Sequence, residues 1–160
     1  MKVIQNFLEK DYFNSLKETI TGKSALPFYL NPVVRDNEPM NPNNYYFTHV
    51  VWRNYRTHSD IFNMFEPLLD QIKCKGLLRI KINCYPRTEK IFYHEPHTDY
   101  GFSTKGFILS LNTCDGGTQV EDKFVKSVEN QALFFDTAKP HNSTTCTDQH
   151  CRFNVNINYF

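Results

Sequence analysis

The amino-acid sequence predicts an α+β fold that is mainly β. Aromatic residues make up 15% of the chain, with 14 Phe and 9 Tyr against 6 Gly, which favours a well-packed β-rich domain over a helical bundle. From Leu77 onward, short apolar runs recur at intervals of about eight to twelve residues, which is typical of a barrel or a sandwich. Two helical patterns precede these runs, so we expect two N-terminal helices packed on one face of an antiparallel sheet.

The length of 160 residues predicts a single domain, residues 1–160, that is large enough to bury a core. Residues 1–76 carry the helical and loop patterns, and residues 77–160 carry the strand patterns. We therefore expect the first part to support a β core formed by the second.

The first part begins with a short strand at Val3–Ile4, followed by apolar residues at roughly helical spacing in residues 6–20. Residues 25–57 are rich in Pro and Asn and then turn aromatic and basic, which predicts irregular loops with one or two strands. A second helix is predicted from Ser59, as its N-cap, to about Ile72.

The second part contains the predicted strands, separated by turns at "CDGGT" and "AKPHN". They are Leu77–Tyr85, Lys90–His97, Gly106–Asn112, Thr118–Glu121, Phe124–Ser127, Ala132–Asp136 and Arg152–Phe160. The last one, "RFNVNINYF", alternates strictly between apolar and polar residues. Its apolar face belongs to the core, and its polar face borders either water or a polar cavity.

Charge and cysteine content exclude several classes of protein. The chain has 18 basic and 17 acidic residues, a formal charge of +1, which argues against an indiscriminate nucleic-acid or membrane binder. No run approaches the roughly 18 apolar residues of a membrane span, and "MKVIQNFLEKDYFN" contains no apolar core of a signal peptide. Five cysteines without a CxxC pair fit neither a disulfide framework nor a thiolate zinc site. We expect a cytoplasmic protein with free thiols.

The stretch "HEPHTDYG" carries the candidate chemistry. On a strand, His97 and Asp99 would share one face, so these two could ligate one ion. His94 could compete as a ligand, but it would point the other way, which favours packing or a supporting hydrogen bond. His141, directly after an apolar strand, is the best third ligand. Two histidines and a carboxylate leave the ion open on one side, which suits iron(II) in an oxygenase better than a closed zinc site. A polar, solvated turn without a metal is the alternative.

Arg152 follows His141 by about one strand, and with it the chain resembles the iron(II)- and 2-oxoglutarate-dependent dioxygenases. The pattern is HxD, a distal His and then a basic residue, here His97, Asp99, His141 and Arg152, and the resemblance extends from about Leu77 to Phe160. The segment "LSLNTCDGGT" is also similar to a hairpin of the prolyl 4-hydroxylase-like branch.

The resemblance implies a double-stranded β-helix, or jelly roll, with iron(II) bound by His97, Asp99 and His141. It also implies that 2-oxoglutarate is the cosubstrate, that Arg152 binds its C5 carboxylate, and that O2 is consumed to hydroxylate a substrate with release of succinate and CO2. The substrate is not specified; a protein side chain such as proline and a small molecule both remain open.

Asn83 and Tyr85 in "INCYPR" are candidates for further cosubstrate contacts, because an N-x-Y at this place is similar to the alkylation-repair dioxygenases. Those repair enzymes carry a second arginine where this chain has Asn158, which makes nucleic acid a weaker substrate candidate. A nucleic-acid dealkylase and a catalytically inactive jelly-roll binding module therefore stand as alternatives. The stretch Val50–Arg56 could line a substrate entrance or be a strand with an amphipathic surface.

Overall fold

The computed structural model describes residues 1–23, 26–33 and 41–160. Its helical segments are α1 (Lys10–Thr21) and α2 (Glu66–Gln71), the latter preceded by a 3₁₀ turn at Phe62–Phe65. The strands before α2 are β1 (Lys2–Ile4), β2 (Tyr29–Asn31), β3 (Tyr46–Arg53) and β4 (Arg56–Thr57). The strands after it are β5 (Leu77–Pro86), β6 (Lys105–Ser110), β7 (Gly117–Val120), β8 (Lys123–Lys126), β9 (Ala132–Asp136), β10 (His141–Ser143) and β11 (Cys151–Tyr159).

The strands form a large and a small sheet with antiparallel pairing. The large sheet has the order β1-β9-β6-β11-β5-β3-β2, with β4 also paired to β3, and the small sheet has the order β10-β7-β8. The mainly β character is as predicted, and two antiparallel sheets that share a cavity are consistent with a jelly roll. The large sheet also takes β1 to β4 from the first part of the chain, which the sequence had assigned to a supporting role.

The hydrophobic core lies between the helical segments and one face of the large sheet. Helix α1 buries Phe13, Leu16 and Ile20 at helical spacing, and its first turn is capped by the side chain of Glu9, which accepts from the backbone N–H groups of Asp11 and Tyr12. These apolar residues belong to one cluster with the apolar face of β11, namely Val155, Ile157 and Tyr159. Because each fully buried Leu, Ile or Phe contributes about 2 kcal/mol, this cluster holds the helix on the sheet.

The second helix differs from the prediction. Ser59 is not its N-cap, because the Ser59 hydroxyl lies 2.7 Å from Nε2 of His49. The α-helical part instead begins at Glu66, immediately before Pro67. Proline fits only the first turn of an α-helix, so the residues before Pro67 form a 3₁₀ turn and the helix is shorter than expected.

The strand predicted at Lys90–His97 was wrong. This segment forms only isolated bridges, Tyr93 with Thr144 and His97 with His141. Pro96 lacks a backbone N–H and cannot continue a ladder, so the segment follows β10 through single contacts. In the earlier region predicted to hold loops and one or two strands, β2, β3 and β4 are present, and residues 25 and 34–40 lie outside the described residues.

The polar face of β11 borders a cavity rather than water. Its side chains are almost completely buried, with exposures of 1% for Arg152, 2% for Asn154, 9% for Asn156 and 0% for Asn158. Buried polar groups require partners, so this face indicates a binding site between the two sheets. No helix among the described residues is long and apolar enough to cross a membrane.

Candidate metal centre

The structure brings His97, Asp99 and His141 together. One ligand atom from each residue lies within 4.8 Å of the other two. Nε2 of His97 is 4.0 Å from one carboxylate oxygen of Asp99, and Nε2 of His141 is 3.7 Å from the other. Two imidazole nitrogens and a carboxylate at this separation could coordinate one divalent metal ion.

The backbone places these residues by a bridge rather than by strand alternation. The N–H of His97 donates to the carbonyl of His141 at 2.9 Å, and the N–H of His141 donates back at 2.9 Å. The N–H of Asp99 then donates to the carbonyl of Thr137 at 3.2 Å. The expected proximity of His97 and Asp99 is therefore present, although the segment that carries them is not a strand.

Both histidines are oriented with Nε2 toward Asp99. Nδ1 of His141 lies 2.9 Å from the carbonyl of Lys139, and Nδ1 of His97 lies 3.3 Å from the carbonyl of Glu95. A carbonyl only accepts hydrogen bonds, so Nδ1 carries the proton and the Nε2 lone pair is available for a metal. Burial and the neighbouring His141 lower the pKa of His97, which favours the neutral form that a metal requires.

Arg79 and Asn158 hold the carboxylate of Asp99, and sequence reasoning missed Arg79. Nη2 of Arg79 lies 2.9 Å from one oxygen and Nδ2 of Asn158 lies 2.9 Å from the other. Burial by itself would raise the pKa of Asp99, but the charges of Arg79 and His141 and the two hydrogen bonds outweigh it and lower the pKa to about 2. Asp99 is therefore ionised and fixed in orientation. The alternation along β5, which places Arg79 on the same face as Asn83, is the signal that could have found it.

His94 lies beside the metal centre and is not one of its candidate ligands. Its Nδ1 is 2.8 Å from the side-chain oxygen of Asn44, and its ring packs against Tyr85 with centroids 5.5 Å apart. Burial, together with the charge of Arg152, lowers its pKa to about 3, so this imidazole is neutral at ordinary pH.

Arg152 offers a hydrogen-bond donor that has no partner among the described residues. Its Nε donates to the carbonyl of Thr144 at 3.0 Å, and its guanidinium carbon lies 4.5 Å from the ring centroid of Tyr85. Burial lowers its pKa, and Nη2 is buried with no hydrogen-bond partner among the described residues. A buried guanidinium with an unpaired N–H lowers the stability of the fold unless an anion accepts a hydrogen bond from it. A carboxylate has the geometry that matches a guanidinium.

Gly116 forms the wall behind Arg152. A Cβ at this position would lie 2.2 Å from the carbonyl oxygen of Thr145 and 3.2 Å from Cδ of Arg152. Only glycine allows the two chain segments to approach so closely, so Gly116 supports the arginine as well as the turn.

Asn83 and Tyr85 lie on β5, with Tyr85 directly opposite Arg152 on β11. Asn83 donates to the side-chain oxygen of Asn154 at 2.9 Å, and Tyr85 stacks on Tyr46 with ring centroids 5.3 Å apart. Together with the three candidate ligands they line an inner cavity of about 30 Å³. One water molecule needs about 10–15 Å³ of cavity volume. A five-carbon diacid is much larger than the waters that this cavity could hold, so it could enter only if side chains move. The side-chain oxygens of Asn83, Asn156 and Ser143 have no partner in the described residues and could bond a polar guest.

The fold is shared with oxygenases of known structure. A prolyl hydroxylase from Trichoplax adhaerens, solved in complex with a peptide fragment of the hypoxia inducible factor oxygen degradation domain, matches with a TM-score of 0.71 at 18% identity, covering 99% of this chain and 82% of that one. A Pseudomonas putida prolyl-4-hydroxylase matches with a TM-score of 0.67 at 14% identity, covering 99% and 91%. A 2OG-Fe(II) oxygenase family protein from Burkholderia pseudomallei matches with a TM-score of 0.67 at 10% identity, covering 98% and 83%. The chain has the fold of the 2-oxoglutarate and iron(II) oxygenases. No family model matches its sequence, and no curated protein does.

A larger pocket of about 680 Å³ forms the mouth of this oxygenase fold. His97 and Asp99 line this pocket together with the basic residues Arg53, Arg79 and Lys81. The stretch Val50–Arg56, which the sequence offered as a substrate entrance or as an amphipathic strand, belongs mostly to β3 and contributes Val50 and Arg53 to this mouth. The stretch is therefore a strand with two residues in the lining of a pocket, and its role as a substrate entrance stays a prediction.

Proposed function

We propose that the protein is an iron(II)- and 2-oxoglutarate-dependent dioxygenase that hydroxylates a protein side chain such as proline. The observation that carries this proposal is the cluster of His97, Asp99 and His141, supported by the buried Nη2 of Arg152, which has no partner among the described residues. In this proposal residues 1–160 act as one oxygenase domain. Iron(II), 2-oxoglutarate and O2 would supply the oxidising chemistry, with succinate and CO2 as by-products.

The proposal gives each site residue a role. His97, Asp99 and His141 hold iron(II) through two neutral imidazoles and one ionised carboxylate, a donor set that leaves positions open for other ligands. Arg152 binds the C5 carboxylate of 2-oxoglutarate through its guanidinium, because Nε is already bonded to the carbonyl of Thr144 while the buried Nη2 has no partner among the described residues. Asn83 and Tyr85 make further contacts with the cosubstrate from the wall of the inner cavity.

A protein substrate is favoured by two observations. The Trichoplax prolyl hydroxylase was solved with a peptide, and this chain matches it over 99% of its length. The mouth above the metal centre is open and has the volume of an ordinary ligand site. Nucleic acid is less favoured, because the formal charge of the chain is only +1.

A cytoplasmic location fits the cysteines. All five are unpaired, as expected in a reducing compartment.

The decisive experiment is an anaerobic titration of the metal-free protein with iron(II) and then 2-oxoglutarate, monitored by visible absorption. The expected result is a charge-transfer band that requires both additions and is lost in His97→Ala. Circular dichroism of the variant shows whether it is folded. A folded wild-type protein that gives no band would contradict the proposal and favour a binding module.

Once the band is established, two products distinguish the substrate classes. A peptide substrate gains the mass of one oxygen atom, whereas a methylated oligonucleotide releases formaldehyde. Formaldehyde release without peptide oxidation would favour the nucleic-acid dealkylase.

A further inference from the structure

The mouth of the metal centre contains more positive than negative charge. Arg53, Arg79 and Lys81 line it, and Asp99 is the one carboxylate among its described lining residues. Arg79 already pairs with Asp99 at 2.9 Å. Arg53 and Lys81 form no ion pair with any described residue. Within the same residues, Nζ of Lys81 has one hydrogen-bond partner, the Tyr46 hydroxyl at 3.3 Å.

The sheet itself concentrates these cations. Arg53 on β3 lies directly opposite Arg79 on β5, and Val50 lies opposite Lys81. Like charges opposite each other across antiparallel strands destabilise a sheet. Burial, then the charges of Arg79 and Arg53, lower the pKa of Lys81 to about 7, even though Asp99 acts in the other direction. Among the described residues, Arg53 and the protonated form of Lys81 therefore have no anionic partner beside the candidate metal site.

We propose that the mouth binds an acidic peptide, and that a Glu or Asp side chain next to the oxidised residue is held by Arg53 and Lys81. This inference rests on the proposed function and names the substrate class of the same site. The iron dication and the 2-oxoglutarate dianion offset each other, so they do not neutralise the mouth. A carboxylate of the substrate supplies the missing charge and is bound by charge-assisted hydrogen bonds.

A peptide fits this mouth better than a nucleic-acid strand does. A strand carries a charge at every nucleotide and is held along a continuous basic groove. Here two arginines and a lysine line one pocket with the single carboxylate of Asp99, and further lining residues such as Asn31, Thr48 and Val50 are neutral. The pattern matches recognition of one or two carboxylates on an otherwise neutral chain.

Fluorescence anisotropy with defined probes tests the proposal on the full-length protein, without metal or cosubstrate. Three labelled peptides of equal length carry a central proline flanked by Glu, Gln or Lys, and the fourth probe is labelled oligothymidylate. We expect the Glu-flanked peptide to bind at least about tenfold more tightly than the Gln-flanked one, since two charge-assisted contacts are made.

Charge-removing variants locate the binding site. Arg53→Gln is expected to weaken the Glu-flanked peptide about threefold and Lys81→Gln about tenfold, because Lys81 is the less exposed of the two. Lys126→Gln removes a charge on exposed β8, away from the mouth, and should leave the affinity unchanged. The affinity for the Gln-flanked peptide should be the same in all variants, which also shows that they are folded.

Equal affinities for the Glu- and Gln-flanked peptides would overturn the proposal, and so would tighter binding of oligothymidylate. A loss in Lys126→Gln equal to that in Lys81→Gln would place the peptide elsewhere. These results are independent of the charge-transfer band. If the protein gives the charge-transfer band but does not prefer the acidic peptide, the proposed function stands and only the inference of an acidic substrate is wrong.

Discussion

Arg79 and Asn158 lie directly opposite each other on β5 and β11, and each donates to a different oxygen of Asp99. One donor is charged and the other is neutral. The pair fixes the carboxylate in a single orientation, and Arg79 contributes to the lowered pKa of Asp99. An oriented carboxylate loses less conformational entropy when a metal binds, so these two residues support the candidate metal centre without touching the metal position themselves.

Asn158→Ala is expected to weaken iron(II) binding about tenfold, because one oxygen of Asp99 loses its donor and the carboxylate can turn. Anaerobic isothermal titration of the metal-free protein measures the affinity. Asn154→Ala is the matched control, since Asn154 is also a buried asparagine on β11 but bonds to Asn83. Equal losses in the two variants would show that Asn158 acts through general packing and not through Asp99.

Substitutions should distinguish the candidate metal ligands His97 and Asp99 from the neighbouring His94. His97→Ala and Asp99→Ala are expected to abolish iron-dependent turnover of 2-oxoglutarate, because two ligands cannot retain the metal. His94→Ala should only weaken turnover, since His94 bonds to Asn44 rather than facing Asp99. Succinate formation, measured at saturating iron(II), is the readout. A loss in His94→Ala as complete as that in His97→Ala would make His94 part of the metal site.

Arg152→Met is expected to raise the 2-oxoglutarate concentration required for turnover about 100-fold, because the charge-assisted bonds to the C5 carboxylate are lost. Iron(II) binding in the absence of 2-oxoglutarate should remain close to that of the wild type. Arg87→Met, at an exposed arginine just beyond β5, is the control and should change neither quantity. An unchanged cosubstrate requirement in Arg152→Met would remove Arg152 from the binding site.

The stability of the metal-free protein should fall as the pH drops below about 6.5. Burial, together with Arg152, lowers the pKa of His94 from its usual 6.5 to about 3, so the unfolded chain binds a proton in this range that the folded protein does not. The free energy of unfolding should decrease by about 1.4 kcal/mol per pH unit from this residue alone. The contribution is complete above the unfolded pKa and is lost as the pH falls toward about 3.

Urea unfolding at pH 7 and pH 5 measures this effect. Between pH 7 and pH 5, the free energy of unfolding should fall by about 2 kcal/mol more in the wild type than in His94→Asn. His58→Asn, at an exposed histidine, should behave like the wild type. A pH dependence that is the same in His94→Asn and the wild type would show that His94 is not held neutral in the folded protein.

Local sequence patterns predicted much of the fold. The period of two in β11 and the helical spacing of apolar residues in α1 were both confirmed, because each depends on which face of a single element is buried. Six of the seven strands predicted from Leu77 onward are present within one or two residues. These predictions needed no knowledge of what the elements pack against.

The errors occurred where a distant residue decides the local structure. Ser59 looks like an N-cap, but His49 takes its hydroxyl. Residues 90–97 look like a strand, but they form only single bridges, Tyr93 with Thr144 and His97 with His141. In both cases a tertiary contact competes with the local preference and prevails.

The sequence by itself determined the residue types of the candidate metal ligands His97, Asp99 and His141, and the position of Arg152 after them, since residue types and spacing are written in the chain. Only the tertiary structure decided that the polar face of β11 lines a cavity, that Arg79 holds Asp99, and that Arg53 and Lys81 surround the mouth. The physical reason is the separation along the chain of the residues that decide each property. Periodicity is set by a residue's immediate neighbours, whereas burial and cross-strand pairing depend on segments far apart in the chain, which a pattern along one strand does not record.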